Sequence, residues 1–236
     1  MRSFLRGILF LLVWSVALGQ APDPPGAEPD SVPEVKARAE AALPVVTFTL
    51  DFPQSQPEHY SIRVPAEGPG HYQSTGRISR ESDDTDSFEF DFVISKEMRE
   101  RIFHLTTGAG YFQRDVDSHQ KNLAFTGKKT LAYKDEHVAG EATFNYASDP
   151  AARDLTALFQ SLSATLEFGH RLDYDHRYQK LALDEELKRM QEMAHDNALV
   201  EMTAIQPILE KIVADHSVVN IARARAQQLL GSANGR

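Results

Sequence analysis

His170, Asp173 and His176 recur at every third position, so on a continuous helix they share one stripe and could offer two imidazoles and a carboxylate to a divalent metal. Arg171, Asp175, Arg177 and Lys180 are interleaved with them, which is how a solvated helix face is built. Asp115, Asp117 and His119 alternate and would share one face of a strand, yet a polar loop uses the same residue types. Asp83, Asp84 and Asp86 could attract calcium, but the central glycine and terminal glutamate of a twelve-residue calcium loop are missing, which leaves a solvated loop. In each case the reading adopted is a polar surface, and no metal ligand is assigned.

Two motifs touch on covalent or phosphate chemistry. Ser118 and Lys121 form S-x-x-K, the pairing in which a helix start aims a serine hydroxyl at an amine, but neither S-D-N nor K-T-G accompanies it. Residues 127 to 130, GKKT, resemble the end of a phosphate loop, with Asn122 standing where its first glycine belongs. No catalytic residue and no cofactor is assigned. Tyr60, Tyr72, Phe88, Phe90, Phe92, Tyr111 and Phe112 could instead line an apolar pocket between a sheet and a helix, or simply fill the core.

The elements that must position these residues follow from periodicity. Val46, Phe48, Leu50 and Phe52 alternate with polar residues and predict a half-buried strand; Tyr60, Ile62 and Val64 predict a second. The turn residues 65 to 70 then allow 71 to 75 to return as a hairpin partner. Phe88, Phe90, Phe92 and Ile94 give the clearest strand, and three phenylalanines on one face demand a covering layer. Ser95 is placed to cap a helix through Met98, Ile102 and Leu105. Leu123 with Phe125, Leu131 with Tyr133, and Phe144 with Tyr146 predict further short strands, with FTGKKT as a turn.

Asp149 and Pro150 then open a long amphipathic helix through Leu155, Leu158, Phe159, Leu162, Leu166 and Leu172, a natural cover for the phenylalanine face. Asp184 is expected to cap a charged helix to about Ala194. A further helix runs through Ile205, Ile208, Leu209, Ile212 and Val213. The last is expected to start at Ser217, bury Val218, Ile221, Ala222 and Leu229, and end at Gly231. The fold class expected is α+β: a mainly antiparallel sheet covered by a long helix, followed by a C-terminal helical hairpin.

Composition and the N-terminus bound the setting. Arg2 and Arg6 precede an apolar run from Ile8 to Leu18, too short to span a bilayer, and Ala17, Gly19 and Ala21 supply the small residues of a cleavage site. This reads as an export signal removed after Gly19 or Ala21, and it contains the one tryptophan, Trp14. Its loss makes the formal charge two units more negative than −9, which argues against nucleic acid. The chain has no cysteine, so disulfides, thiolate ligands and cysteine nucleophiles are excluded. The expected organisation is a signal peptide at 1–21, a Pro-rich tether and short helix at 22–44, an α+β domain at 45–183 and a C-terminal helical segment at 184–236.

The segments YSIRV at 60–64, FDFVIS at 90–95, RIFHL at 101–105, YF at 111–112 and SVVNIARARA at 217–226 resemble uncharacterised exported bacterial proteins, a domain of unknown function with no assigned activity. The resemblance implies a bacterial envelope or secreted location and carries over no catalytic or binding residue. The function expected is an exported, soluble, non-catalytic binding or assembly protein, secreted or periplasmic. Its partner would be protein, with no nucleic acid and no membrane after signal cleavage. The alternatives are a metal-assisted hydrolase and a carrier of a lipid or small apolar ligand.

Overall fold

Alternation in the first third of the chain produces four consecutive hairpin strands. The computed structural model describes residues 43–53, 55–77 and 85–233. β1 (Val45–Asp51), β2 (His59–Pro65), β3 (Gly70–Arg77) and β4 (Thr85–Phe92) pair in sequence, each antiparallel to the last. Helix α1 (Lys96–Gly108) then carries the chain back, and β5 (Lys128–Lys134) and β6 (Ala139–Phe144) add on the other side of β1. The order is β4-β3-β2-β1-β5-β6, so β1 lies inside the sheet while β4 and β6 are its edges.

Register aligns one apolar row across all six strands: Phe90, Tyr72, Ile62, Phe48, Leu131 and Ala142. Five of the six are buried, and Phe90, on the edge strand, is half-buried. The opposite face is polar, with Thr47, Thr49, Ser61, Gln73 and Thr130 along it, as expected of an antiparallel sheet covered on one side.

The cover is α2 (Pro150–Tyr178), opened as its sequence predicts: the Asp149 carboxylate accepts from Ala152 N–H at 3.0 Å, with Pro150 in the first turn. Leu155, Leu158, Phe159, Leu162, Leu166 and Leu172 are all buried on it. Beyond it, α3 (Leu183–His195), α4 (Gln206–Ala214) and α5 (Asn220–Ala233) close the structure, and their buried side chains join those of the sheet in one contiguous core. Ser95 caps α1 through its hydroxyl, which accepts from Met98 N–H at 3.2 Å.

Several expectations need correction. Leu123 and Phe125 form no strand: the chain from Gln113 to Gly127 is irregular, with left-handed backbone at His119, Asn122 and Gly127 that breaks any ladder, and Phe125 is 58% exposed. Asp184 lies inside the first turn of α3, whose capping position is Ala182. The last helix starts at Asn220 rather than Ser217 and runs past Gly231 to Ala233. Its buried side is Ala222, Ala226, Leu229 and Leu230, and Ile221 is 54% exposed. The export signal, the tether and the short helix before Pro44 lie outside the described residues.

Candidate functional site

At the β4 edge the covering layer is incomplete, and a cleft of about 320 Å³ opens between the strand, α2 and the start of α4. Phe88, Phe90 and Phe92 form one wall because alternation sends all three to the helix side. Ala204, Ile205, Pro207 and Ile208 form the other, and His170 and Asp173 of α2 lie between. Among the described residues, Lys211 is the one cation on its lining.

Local packing explains why the walls stand where they do. Gly70, opposite Phe92 in the register, has no side chain, and the Phe92 ring occupies the space a Cβ would need. Gly169 plays the same part on α2: a Cβ there would lie 2.5 Å from Ile205 Cγ2, so only glycine admits the segment leading into α4 so closely. Thr165 fixes that segment from the other side. Its hydroxyl donates to Val200 O at 2.7 Å and accepts from Val200 N–H at 3.2 Å.

Aromatic contacts continue below the cleft. The Phe88 ring stacks on His170 with centroids 3.7 Å apart and planes 2° from parallel, and Phe90 lies 5.0 Å from Phe88. Beneath them, the Tyr72 hydroxyl donates to Glu167 Oε1 at 2.7 Å and lies 3.0 Å from Ser163 Oγ. Burial pushes the Tyr72 hydroxyl well above its ordinary pKa, and the Glu167 charge adds to it; burial does the same to Tyr60. Both phenols stay protonated, and the Tyr72 hydroxyl is the donor that ties the sheet to Glu167 of α2.

The candidate stripe of His170, Asp173 and His176 is not gathered into a site. His170 stacks on Phe88, Asp173 pairs with Arg177 at 2.5 Å, and His176 Nε2 meets Asp215 Oδ2 at 3.0 Å. Asp215 also accepts from Lys180 Nζ at 2.6 Å and Ser217 Oγ at 2.7 Å, and these bonds hold its carboxyl below the usual carboxylate range. It is a staple between the end of α2 and the α4–α5 junction. Asp115, Asp117 and His119 sit in an exposed loop where His119 Nε2 and Asp115 Oδ2 are 2.5 Å apart. That hydrogen bond raises the imidazole pKa and lowers the carboxyl's. Among the described residues, no three histidine, aspartate or glutamate side chains converge on a common point. Asp86 is exposed on β4, and Asp83 and Asp84 lie outside the described residues.

The other motifs take structural places. Ser118 lies in the irregular loop, its N–H donating to Tyr146 O at 2.8 Å, and Lys121 is exposed. In GKKT, Lys129 is buried at 5% exposure, and its ammonium is surrounded by Thr126 Oγ1 at 2.9 Å, Thr126 O at 3.1 Å, Asn145 O at 2.9 Å and Gly127 O at 3.2 Å. Desolvation lowers its pKa. This segment holds a cation among its own carbonyls instead of cradling a phosphate.

The seven aromatics proposed as pocket or core divide between the two. Phe88, Phe90 and Phe92 line the cleft, Tyr60 and Tyr72 are buried beneath it, and Tyr111 and Phe112 lie elsewhere, with Tyr111 packed on Tyr133 at 4.8 Å. The α4 wall was missed, because Ile205 and Ile208 read as ordinary core positions of an amphipathic helix. No protein-family model matches the chain, and no characterised protein matches it either.

Proposed function

We propose that this is an exported, non-catalytic binding protein of the bacterial envelope that takes apolar side chains of a protein partner into the cleft between β4, α2 and α4. The observation that carries the reading is the cleft itself. At about 320 Å³ it lies within the size range of ligand sites, with aromatic and aliphatic walls and a few polar groups. A pocket at a sheet edge is open along the strand, which suits a polypeptide better than an enclosed molecule. The candidate chemical groups are committed to fixed pairs: His176 with Asp215, His119 with Asp115, Asp173 with Arg177.

Val93 lines the cleft and is 73% exposed, so a photo-crosslinking residue placed there reports on the occupant. Irradiation in the native envelope is expected to give a discrete adduct that Ala204→Trp, which fills the cleft, abolishes. An adduct unaffected by Ala204→Trp overturns the reading, and stoichiometric lipid in an organic extract replaces it with the carrier. Export is checked on the same preparation: intact mass should lack residues 1–19 or 1–21, and without Trp14 the protein should show no indole emission.

A further inference from the structure

The ladder fixes which backbone groups β4 leaves open. Phe52 N–H donates to Glu58 O at 2.7 Å, so the even-numbered residues of β1 and β2 bond one another. Alternation then turns Ser61 and Arg63 toward β3, Tyr72 and Ser74 toward β4, and Phe88, Phe90 and Phe92 back toward β3. The N–H and C=O groups of Ser87, Glu89 and Asp91 therefore point away from the sheet. Among the described residues no strand pairs with that edge.

The same alternation sorts the side chains. Phe88, Phe90 and Phe92 face the cleft, while Ser87 and Glu89 are exposed on the open face and Asp91, also exposed, stands at the cleft rim with its carboxylate 2.8 Å from His71 Nδ1. An extended chain laid along β4 would bond to the free groups, send every second side chain into the cleft beside the phenylalanines, and place the others beside Glu89 and Asp91. We propose that β4 binds an extended segment of a partner protein by strand addition, in which apolar residues alternate with lysine or arginine. This deepens the cleft reading and rests on it.

Charge selects the occupant. Asp86, Glu89 and Asp91 make the strand acidic in a chain of net charge −9. A second copy pairing β4 to β4 would bring like charges into cross-strand contact, which opposes self-association and favours a basic partner. The chain's own residues 20–33 contain five prolines and lack N–H groups that a ladder requires.

The test uses the full exported chain and two blocked ten-residue peptides of equal composition, one alternating valine and lysine and one with the two types in separate blocks. The alternating peptide is expected to slow amide exchange at Ser87, Glu89 and Asp91 at least tenfold and to bind at least tenfold more tightly than the block peptide. Glu89→Pro removes an outward N–H without touching the β3 ladder, and should weaken binding at least tenfold. If that variant does not fold, the Glu89→Lys, Asp91→Lys pair carries the test, losing the lysine peptide and gaining a glutamate counterpart. Equal binding of both peptides, unprotected edge amides, unchanged binding in the charge-reversed variant, or a peptide-free dimer lost with Glu89→Pro each overturns the proposal. Strand addition alone fails if peptide perturbs Phe88 and Ile208 while the edge amides stay unprotected. It also fails alone if no peptide binds while Val93 crosslinking persists and is blocked by Ala204→Trp. Both readings fail if that crosslinking is lost too.

Discussion

Two parallel ring stacks join the sheet to α2, and they sit in opposite surroundings. Phe48 of β1 lies 5.3 Å from Phe159 with planes 2° apart, and both rings are sealed in the core. Phe88 of β4 lies 3.7 Å from His170, also 2° from parallel, yet both are only half-buried and border the cleft. The parallel orientation is shared; position in the sheet is not. β1 has a neighbour on each side and Phe159 of α2 above it, whereas β4, among the described residues, has one neighbour and ends the layer. Strand order therefore decides whether a sheet-to-helix aromatic contact becomes core or the wall of a cleft.

The largest effect expected is at the sealed stack. Phe48→Ala should cost about 3–5 kcal/mol in urea denaturation, since truncation loses transfer energy and leaves a cavity. Phe88→Ala should cost about 1 kcal/mol, because only part of its ring leaves water on folding. Equal losses at the two positions would erase the distinction between core and cleft. A smaller effect tests what holds the α4 wall. Because its partners depress the folded-state pKa of Asp215, the charged form contributes stability above the ordinary carboxylate pKa of about 4 and loses it as pH falls through the lower folded value. Wild type should thus exceed Asp215→Asn in thermal stability at neutral pH, with the gap narrowing in acid; a gap independent of pH would rule out the ionic staple. The smallest effect is Asp91→Ala, expected under about 0.5 kcal/mol because the side chain is exposed.

How far the sequence discloses this arrangement differs by element. The strands β1, β2 and β4 were legible from period-two alternation, β3 from the turn residues before it, and α1 and α2 from Ser95, Asp149 and Pro150 as caps, because those signals are local. Phe90 shows the limit: its spacing matches Phe48's, and nothing local reveals that its strand is an edge. Leu123 and Phe125 imitate a strand because two apolar residues suffice for alternation, while positive φ at His119 and Asn122 belongs to a loop whose shape is set elsewhere. Ile221 imitates a buried helix position because periodicity gives a stripe without its phase. His170 and Asp173 were singled out for their chemistry and lie in the cleft, but as lining side chains. Pairing Ile208 with Phe88 required knowing how helices past residue 184 return to the sheet.

Lys129 has a consequence of its own. An ammonium surrounded by carbonyl and hydroxyl oxygens, with no carboxylate among them, is the arrangement of an alkylammonium in a crown ether. Here host and guest are one molecule, so the guest cannot be chelated, exchanged or diluted away. The corner joining residues 126 and 127 to Asn145 is held by what amounts to a tethered ion at very high local concentration. A reagent that caps the amine would remove it, and the rate at which such a reagent reaches Lys129 is a measure of how often that corner opens.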